Sequence, residues 1–515
     1  MGNPMSEHKV VVIGAGMAGL VSALQLAQQG LDVTVVEAAA TPGGKVRQLV
    51  VDGAAIDSGP TVFTMRWVFD QILASVGTTL EAELRIRPLP VLARHWWDGG
   101  ASLDLFADPA RSFDAVAQFA GLAEAKRFQG FCAQAKAAYA ALEGPYLRSA
   151  SPSMLGMSLG LGARGLATLA ALGPLRSLWH SLGQHFTDPR LRQLFGRYAT
   201  YTGSSPWEAP ATLMLIAQVE LDGVWAIDGG MHALARCLER LARERGAAFR
   251  YLSPCERIEV KNGRVSGVQL SSGETLPADS VVFNGDVAAL RTGLLGQPVR
   301  RAVKPKAPPR SLSAITWSIH TRASGVALDR HNVFFRGDYA SEFRDIFDHG
   351  ELPKQPTVYV CAQDRGTDLA APTDRELLLC LVNAPAAGDL QTITPEAIEQ
   401  CENSSFALLR RCGLRIESAE PPSLRTTPVD FHRLFPATGG ALYGQATHGW
   451  TSAFARSSAN TPVTGLFLAG GSVHPGPGVP MAALSGQLAA AAVMASPALT
   501  RWSPRVATSG GTLTP

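Results

Sequence analysis

Residues 9–45 read KVVVIGAGMAGLVSALQLAQQGLDVTVVEAAATPGGK, and this run carries the clearest structural signal in the chain. Val10–Ile13 reads as a short β-branched strand, and glycines spaced as G-x-G-x-x-G follow it directly. Apolar residues then recur at helical spacing over Met17–Gln29, and Val33–Val36 reads as the next strand. This order of strand, glycine turn, helix and strand predicts a βαβ unit of a parallel sheet.

The glycine spacing has a specific physical use. The first glycine permits the tight turn, the second lets backbone approach a pyrophosphate, and the third lets the helix pack closely on the strand. The helix N-terminus offers N–H groups and a partial positive charge to the phosphates. Glu37 stands at the distance where a carboxylate meets a ribose hydroxyl. We therefore predict that a dinucleotide binds at Gly14, Gly16, Ala18, Gly19 and Glu37. The alternative is a parallel βαβ unit that binds no ligand.

A second match to the same pattern, GLGARG at residues 160–165, is rejected as a nucleotide site. The residues before it, Met154–Leu159, are not β-branched, and no acidic residue follows Gly165 until Asp188. A single dinucleotide site argues against a flavin monooxygenase or reductase that uses NAD(P)H.

Composition narrows the function classes. The chain has 515 residues, of which 46% are hydrophobic and 17% charged, and its net charge is +3. The charged fraction lies below the roughly 25% of average soluble proteins, and the near-neutral charge predicts no nucleic-acid partner. The seven cysteines form no C-x-x-C pair, which favours a reducing compartment without disulfides. No secretory signal is expected before the first strand, and no histidine or cysteine spacing predicts a metal site.

Residues 146–186 are unusually apolar. Between Ser149 and Leu175 the only charge is Arg164, and glycines and Pro174 interrupt the run, which therefore does not read as a transmembrane helix of ~20 residues. Basic residues flank its apolar pieces, which suits monotopic insertion into an anionic membrane face. A helical cap buried against the rest of the protein is the equal alternative.

Further motifs follow Glu37. Pro42–Lys45 (PGGK) predicts a second anion-binding turn beside the first, and Ile56–Pro60 predicts another strand with a glycine turn. The run E-x4-P-G-G-K followed by D-x-G-P resembles FAD-dependent amine oxidases and carotenoid desaturases. The resemblance implies FAD as the cofactor, held also by Gly43, Gly44, Lys45, Gly59, Pro60 and Thr61.

The C-terminal run Val463–Gly486 (VTGLFLAGGSVHPGPGVPMAALSG) is the second strong signal. It predicts a strand over Leu466–Ala469, a glycine-rich turn and a helix from Met481, whose N-terminus would point at the flavin pyrimidine ring. The turn closely resembles the C-terminal signature of bacterial-type carotenoid (phytoene) desaturases. The cofactor residues expected in this and the preceding segments are Arg257, Ile258, Asn284, Gly285, Asp286, Gly470, Gly471, Gly478, Val479 and Pro480.

Within that family, Gly440–Gly444, His448–Trp450 and Leu468–Gly486 look most like the 1-hydroxycarotenoid 3,4-desaturases, also called methoxyneurosporene or hydroxyneurosporene dehydrogenases. The resemblance implies C-3,4 desaturation of a 1-hydroxy or 1-methoxy carotenoid by hydride transfer to flavin N5. A phytoene desaturase and a flavin-dependent carotenoid isomerase remain alternatives. A flavin amine oxidase would need an aromatic cage and usually a lysine near N5, and neither is identifiable.

Catalytic residues are harder to predict. No Ser-His-Asp or Cys-His arrangement reads as a triad. The candidates for taking a proton, or for meeting a 1-hydroxyl group, are His232, Asp228, Tyr201 and His448, which the sequence does not rank. His232, at the first turn of a helix after Gly229-Gly230, also fits a residue that only caps or packs.

The resemblance implies an α/β fold: a Rossmann-like FAD-binding domain of the amine-oxidase/carotenoid-desaturase type, an antiparallel-sheet substrate domain and a helical membrane-facing cap. Residues 1–75, 223–292 and 431–515 are assigned to the FAD-binding domain, 76–222 to the substrate and helical cap domain, and 293–430 to the substrate domain. The expected partners are a carotenoid, the membrane surface and an electron acceptor such as quinone or oxygen. The expected location is the cytoplasmic face of a membrane, as a peripheral or monotopic protein.

Overall fold

The computed structural model describes residues 8–152, 165, 173, 175–366, 374–417, 423–496 and 499. Its strands are β1 Lys9–Ile13, β2 Asp32–Val36, β3 Gln48–Val51, β4 Ala54–Asp57, β5 Ile86–Pro88, β6 Val91–Trp97, β7 Ser102–Phe106, β8 Trp225–Ile227, β9 Ala248–Arg250, β10 Cys255–Lys261, β11 Arg264–Leu270, β12 Thr275–Pro277, β13 Ser280–Phe283, β14 Ser313–Thr321, β15 Ala323–Gly325, β16 His331–Phe335, β17 Val358–Ala362, β18 Glu376–Ala384, β19 Leu414–Ile416, β20 Ser423–Thr426 and β21 Leu466–Leu468.

The α-helices are α1 Met17–Gln28, α2 Arg66–Ala74, α3 Leu80–Glu83, α4 Pro109–Ala120, α5 Leu122–Leu142, α6 Leu178–His185, α7 Pro189–Gly196, α8 Leu215–Leu221, α9 Met231–Glu244, α10 Val287–Thr292, α11 Tyr339–Phe343, α12 Pro395–Arg411, α13 Pro428–Leu434 and α14 Val479–Met494. Short 3₁₀ and π segments connect several of them, including the 3₁₀ segment Arg197–Thr202. Within the described ranges, no helix combines the length and the apolarity needed to cross a membrane.

A five-stranded sheet in the order β21-β13-β1-β2-β9 organises the first half of the molecule. All of its pairings are parallel, with Val10 opposite both Val33 and Ser280. Both faces of β1 are buried, as is usual for parallel sheets: Val10 and Val12 pack with α1, α9 and α14, while Val11 and Ile13 pack with β10 and β11. The strands come from three separated parts of the chain, so the carboxyl ends of distant segments meet at one edge.

A seven-stranded sheet in the order β20-β14-β18-β17-β16-β6-β7 forms the second large layer. The sequence predicts an antiparallel sheet here, whereas the sheet is mixed, because β6 pairs in parallel with β16 (Asn332 opposite Arg94). Alternation along β17 and β18 sends one set of side chains into the core under α12. The other set, which lines a cavity, comprises Thr357, Tyr359, Leu379, Leu381 and Asn383.

Most of the apolar run lies outside the described residues. This applies to residues 153–164 and 166–172, which contain most of the rejected GLGARG match and most of the predicted membrane-inserting segment. After them, Leu175 is 78% exposed, and Ser177 forms an isolated bridge with Pro210 at the cavity wall.

Candidate active site

The N-terminal corner is the turn between β1 and α1. Gly14 has φ +98°, in the left-handed region that favours glycine. Helix α1 begins after Gly16, its N-cap residue, which has no side chain with which to cap the helix. The PGGK turn lies directly against this corner: Gly16 and Gly43 form a parallel bridge, and the Gly43 N–H donates to Ala15 O over 2.8 Å. The uncapped helix start can therefore direct its N–H groups and its dipole at a phosphate.

Glu37 stands beside this corner, at the end of β2. Its carboxylate accepts hydrogen bonds from the Ala15 N–H (2.6 Å) and the Ala39 N–H (2.8 Å). These bonds hold the acidic group against the glycine turn, where the sequence places a ribose. The assignment of Glu37 to the ribose stays a prediction.

Asn284 connects the two glycine corners. It follows β13, its Oδ1 accepts from the Gly19 N–H (2.9 Å), and its Nδ2 donates to Ala469 O (3.2 Å). A Cβ added to Gly16 would lie 2.8 Å from Asn284 Oδ1, and one added to Gly470 would lie 2.9 Å from Asn284 Nδ2. The sequence predicts Asn284 as a cofactor residue because it precedes a glycine. Its hydrogen bonds to α1 and to the residue after β21 are seen only in the structure.

The C-terminal corner runs from β21 into α14. Gly470 has φ +125° and donates its N–H to Ser485 Oγ (3.1 Å). Helix α14 begins after Gly478, which has φ +113°, and it too carries no side-chain cap at its N-terminus. Arg456 Nη1 donates to the carbonyls of Gly471 (3.2 Å) and Tyr443 (3.3 Å), which holds the adjoining loops together.

Asp57 and Lys45 anchor the turns between these corners. The Asp57 carboxylate accepts from the Met231 N–H and, at 3.4 Å, from the His232 N–H, so it caps helix α9. Burial raises the pKa of Asp57, and these hydrogen bonds oppose that rise. Lys45 donates to Leu442 O over 2.5 Å, and burial lowers its pKa. A Cβ on Gly59 would lie 1.9 Å from Lys45 O, so this turn requires glycine.

The remaining cofactor candidates lie in different surroundings. Ile258 and Arg257 are neighbours on β10: Ile258 is buried in the core, whereas Arg257 is exposed. Asp286 caps α10 by accepting from the Ala288 N–H (2.9 Å). A Cβ on Gly285 would lie 2.4 Å from the Phe283 ring. None of these positions is tested as a cofactor contact, and all remain predictions.

A cavity of about 540 Å³ adjoins the C-terminal corner and the turn at Gly59. Two groups of predicted cofactor residues line one part of it, namely Gly59–Thr61 and Gly478–Pro480. Its other walls are mainly apolar, and they include Leu142, Leu147, Leu213, Leu215, Ile216, Val219, Leu379, Leu381, Phe454 and Met481. Such walls suit a long apolar molecule placed against a ring held at the corners.

A cluster of polar side chains interrupts the apolar walls. Tyr201 OH donates to Glu220 Oε1 (2.6 Å), and Arg197 Nη1 donates to Tyr201 OH (3.1 Å). Burial raises the pKa of Glu220, while hydrogen bonds from Tyr198 and Tyr201 and the charge of Arg197 oppose the rise. Neither Arg197 nor Glu220 is predicted from the sequence as a site residue. The available signal is that Glu220 carries the only charge in the helix LIAQVEL.

Of the four catalytic candidates, only Tyr201 lines the cavity. His232 Nε2 donates to Pro42 O (3.0 Å) and supports the PGGK turn. Asp228 pairs with Arg87 at 2.5 Å and is partly exposed. His448 contacts Glu208 at 2.5 Å, and burial lowers its pKa against the opposing charge of that glutamate. The structure therefore separates the four residues, and their roles stay predictions.

The described residues fit a flavin dinucleotide. Two helices start uncapped at glycines on neighbouring strand ends, and Asn284 ties those ends together. A Cβ added at Gly16, Gly19 or Gly43 would lie 2.8, 2.1 or 2.0 Å from an amide or backbone oxygen, so these positions require glycine and keep the main chain bare. One corner suits a pyrophosphate, and the other suits the negative charge that develops on a reduced flavin ring.

Comparisons with known proteins agree with this geometry. The family model described as flavin containing amine oxidoreductase matches residues 17–494. The hydroxyneurosporene desaturase of Rubrivivax gelatinosus is 59% identical over 99% of this chain and 98% of its own length. The protein of the same name from Cereibacter sphaeroides is 46% identical over 95% of this chain and 97% of its own.

Solved structures support the fold. A putrescine oxidase bound to putrescine superposes with a TM-score of 0.59 at 16% identity, covering 95% of this chain and 99% of that one. The α/β fold of FAD-dependent amine oxidases, with mixed sheets, is therefore shared. The chain belongs to the flavin-containing amine oxidoreductases and, within them, to the bacterial carotenoid desaturases: it is a flavin-dependent oxidoreductase that acts on carotenoids.

Proposed function

We propose that this enzyme introduces the C-3,4 double bond into a 1-hydroxy or 1-methoxy carotenoid such as hydroxyneurosporene. One observation carries the proposal: a largely apolar cavity adjoins the C-terminal flavin-binding corner and the Gly59 turn, and its described walls contain an Arg-Tyr-Glu cluster. The relatives from Rubrivivax gelatinosus and Cereibacter sphaeroides are both named hydroxyneurosporene desaturase, and this name supports a hydroxylated substrate.

The protein's own contribution is binding and orientation. The apolar walls exclude water and align the polyene, while the uncapped start of α14 stabilises negative charge on the ring beside it. When bound, FAD would supply the hydride acceptor at N5, and a quinone or oxygen would be the final electron acceptor. Tyr201, the one catalytic candidate that lines the cavity, would take the proton lost from the neighbouring carbon while its own hydroxyl proton passes to the Glu220 carboxylate. The conjugated polyene would stabilise the developing cation, so the chain needs no nucleophile.

The experiment is expression in cells that accumulate either the 1-hydroxycarotenoid or phytoene, followed by pigment analysis. We expect a product lighter by two hydrogens, with a longer chromophore, only from the hydroxylated carotenoid. Conversion of phytoene alone would instead support a phytoene desaturase. A product of unchanged mass would support an isomerase.

We further propose that the enzyme acts as a peripheral or monotopic protein at the cytoplasmic face of a membrane, with a helical cap facing the lipid. Carotenoids partition into membranes, and apolar side chains lie exposed near the cavity: Trp450 lines it and is 38% exposed, and Leu175 precedes the segment that pairs with Pro210. Exposed apolar residues near an apolar cavity favour contact with lipid.

Vesicle flotation tests this location. Leu175→Glu should weaken binding to anionic vesicles several-fold, whereas Leu252→Glu, at a position that is 73% exposed and outside the cavity wall, should not. Equal loss in both variants, or no binding by the unmodified enzyme, would contradict the proposal.

A further inference from the structure

A polar cluster in an apolar cavity needs an explanation, because burying charge without a partner is costly. We propose that Arg197, held by Tyr201 and Glu220, binds the oxygen on C1 of the substrate and thereby selects oxygenated carotenoids. This inference rests on the proposed function and assigns a specificity-determining residue to it.

The cluster lies where the substrate chemistry requires. Three bonds separate the C1 oxygen from C3 and four separate it from C4, so the oxygen lies within about 5 Å of both carbons that are desaturated. A group that binds this oxygen must therefore stand next to the flavin site. The Arg197 guanidinium lies 5.5 Å from the centre of the Tyr359 ring, and Tyr359 OH is hydrogen-bonded to Thr61 Oγ1 at 2.7 Å. Thr61 belongs to the turn predicted to face the flavin.

Arg197 has hydrogen-bonding capacity to spare. A guanidinium carries five N–H donors, and among the described residues Arg197 uses one, to Tyr201 OH. The side chain lines the cavity and keeps accessible surface there, although the surrounding elements enclose it. Its remaining donors are therefore available to a molecule in the cavity and suit an ether or hydroxyl oxygen, which accepts.

The partners of Arg197 fix its position. The Glu220 carboxylate accepts from Tyr201 OH and from Tyr198 OH, both at 2.6 Å, and this joins the Arg197–Thr202 segment to helix α8. Tyr201 then accepts from Arg197, so the cation and the carboxylate are bridged by one hydroxyl. Arg197 is thus oriented before substrate binds, which lowers the entropic cost of recognition.

A site built this way rejects the deoxy substrate. A carotenoid without the C1 oxygen would cover the free donors with hydrocarbon and leave them unpaired. Sites that hydrogen-bond a substrate group discriminate strongly against analogues that lack it. The alternative is that the cluster only holds two helical segments together, and in that case its loss would affect all substrates equally.

The experiment compares kcat/KM for a 1-hydroxycarotenoid and for the same carotenoid without the hydroxyl, in FAD-loaded enzyme. In Arg197→Met, we expect kcat/KM for the hydroxylated substrate to fall by about 10–100-fold, with little change for the deoxy analogue. Arg192→Met is the matched control: Arg192 stacks on Trp179, donates to Trp179 O and does not line the cavity. Its substrate ratio should remain that of the unmodified enzyme.

Arg197→Lys keeps a cation and should retain part of the discrimination. If Arg197→Met does not bind FAD, the comparison of the two substrates is made with Arg197→Lys instead. An unchanged substrate ratio in these variants, or an equal fall for both carotenoids, would overturn the inference. Unmodified enzyme that desaturates both carotenoids equally well would overturn the inference while leaving the desaturase activity standing. Enzyme that binds FAD and desaturates neither carotenoid would overturn the proposed function and the inference with it.

Discussion

At the scale of single residues, glycine is required where backbone meets backbone or a ligand. Gly16 shows this clearly, because any Cβ there would lie 2.8 Å from Asn284 Oδ1 and would also stand where the pyrophosphate is predicted. The sequence predicts this requirement from spacing alone, since G-x-G-x-x-G has few other uses between a strand and a helix. It does not predict the partner, because Asn284 is 268 positions away.

Gly16→Val should therefore abolish FAD binding. The added side chain displaces the Asn284 amide and blocks the approach to the α1 N-terminus. The measurement is the flavin-to-protein ratio of the purified variant. Gly130→Val is the control, because a Cβ at Gly130 in α5 meets nothing within 4 Å, and it should keep full FAD. Stoichiometric FAD in Gly16→Val would contradict the pyrophosphate assignment.

At the scale of elements, the close approach of α1 and α14 brings the two corners together. Ser22 Oγ donates to Gly486 O over 2.9 Å, and a Cβ on Gly486 would lie 2.4 Å from Ala18 O. The sequence predicts the start of each helix to within two residues of the observed start. The signals are the apolar periodicity and the glycines before each helix, and both are local in sequence. Their contact with each other is not local, and it became visible only in the structure.

Gly486→Leu should force these helices apart. Overpacking of this kind costs roughly 1–3 kcal/mol of stability, and we expect a lower urea midpoint together with weaker FAD binding. Ala491→Leu, at an exposed position of the same helix, should change neither. Unchanged stability in Gly486→Leu would show that the two helices are not tightly packed.

The strands of the seven-stranded sheet bury two neutral histidines. Burial lowers the pKa of His95 to about 3, with the charge of Arg197 acting in the same direction, and burial likewise lowers that of His331 to about 3. Unfolded histidine titrates near 6.5. Below this pH the unfolded chain therefore binds protons at these histidines and the folded chain does not. The free energy of unfolding decreases as the pH falls below about 6.5.

Between pH 7 and pH 5 each histidine should reduce the free energy of unfolding by about 2 kcal/mol. Urea denaturation at the two pH values measures the change. His331→Gln, which cannot titrate, should lower stability at pH 7 but make the pH dependence shallower. An equally steep pH dependence in that variant would argue that His331 is protonated in the folded protein.

At the scale of the whole molecule, local motifs indicated the flavin fold, but the cavity is a product of tertiary pairing. The hairpin of β6 and β7 is predictable from its Asp98-Gly99-Gly100 turn, yet its parallel pairing with β16 is not, because no local signal sets the register between strands so far apart. The cluster of Arg197 and Glu220 is unpredictable for the same reason: the lone charge of Glu220 in its helix is a local signal, but its partners come from another helical segment.

The most direct test of the central claim is a single turnover without oxygen or quinone. Purified FAD-loaded enzyme is mixed with excess 1-hydroxycarotenoid, and the products are quantified by mass. We expect one carotenoid lighter by two hydrogens for each bound FAD, and further product only after an electron acceptor is added. Repeated turnover without an acceptor, a product of unchanged mass, or equal activity in Gly16→Val lacking FAD would contradict the account.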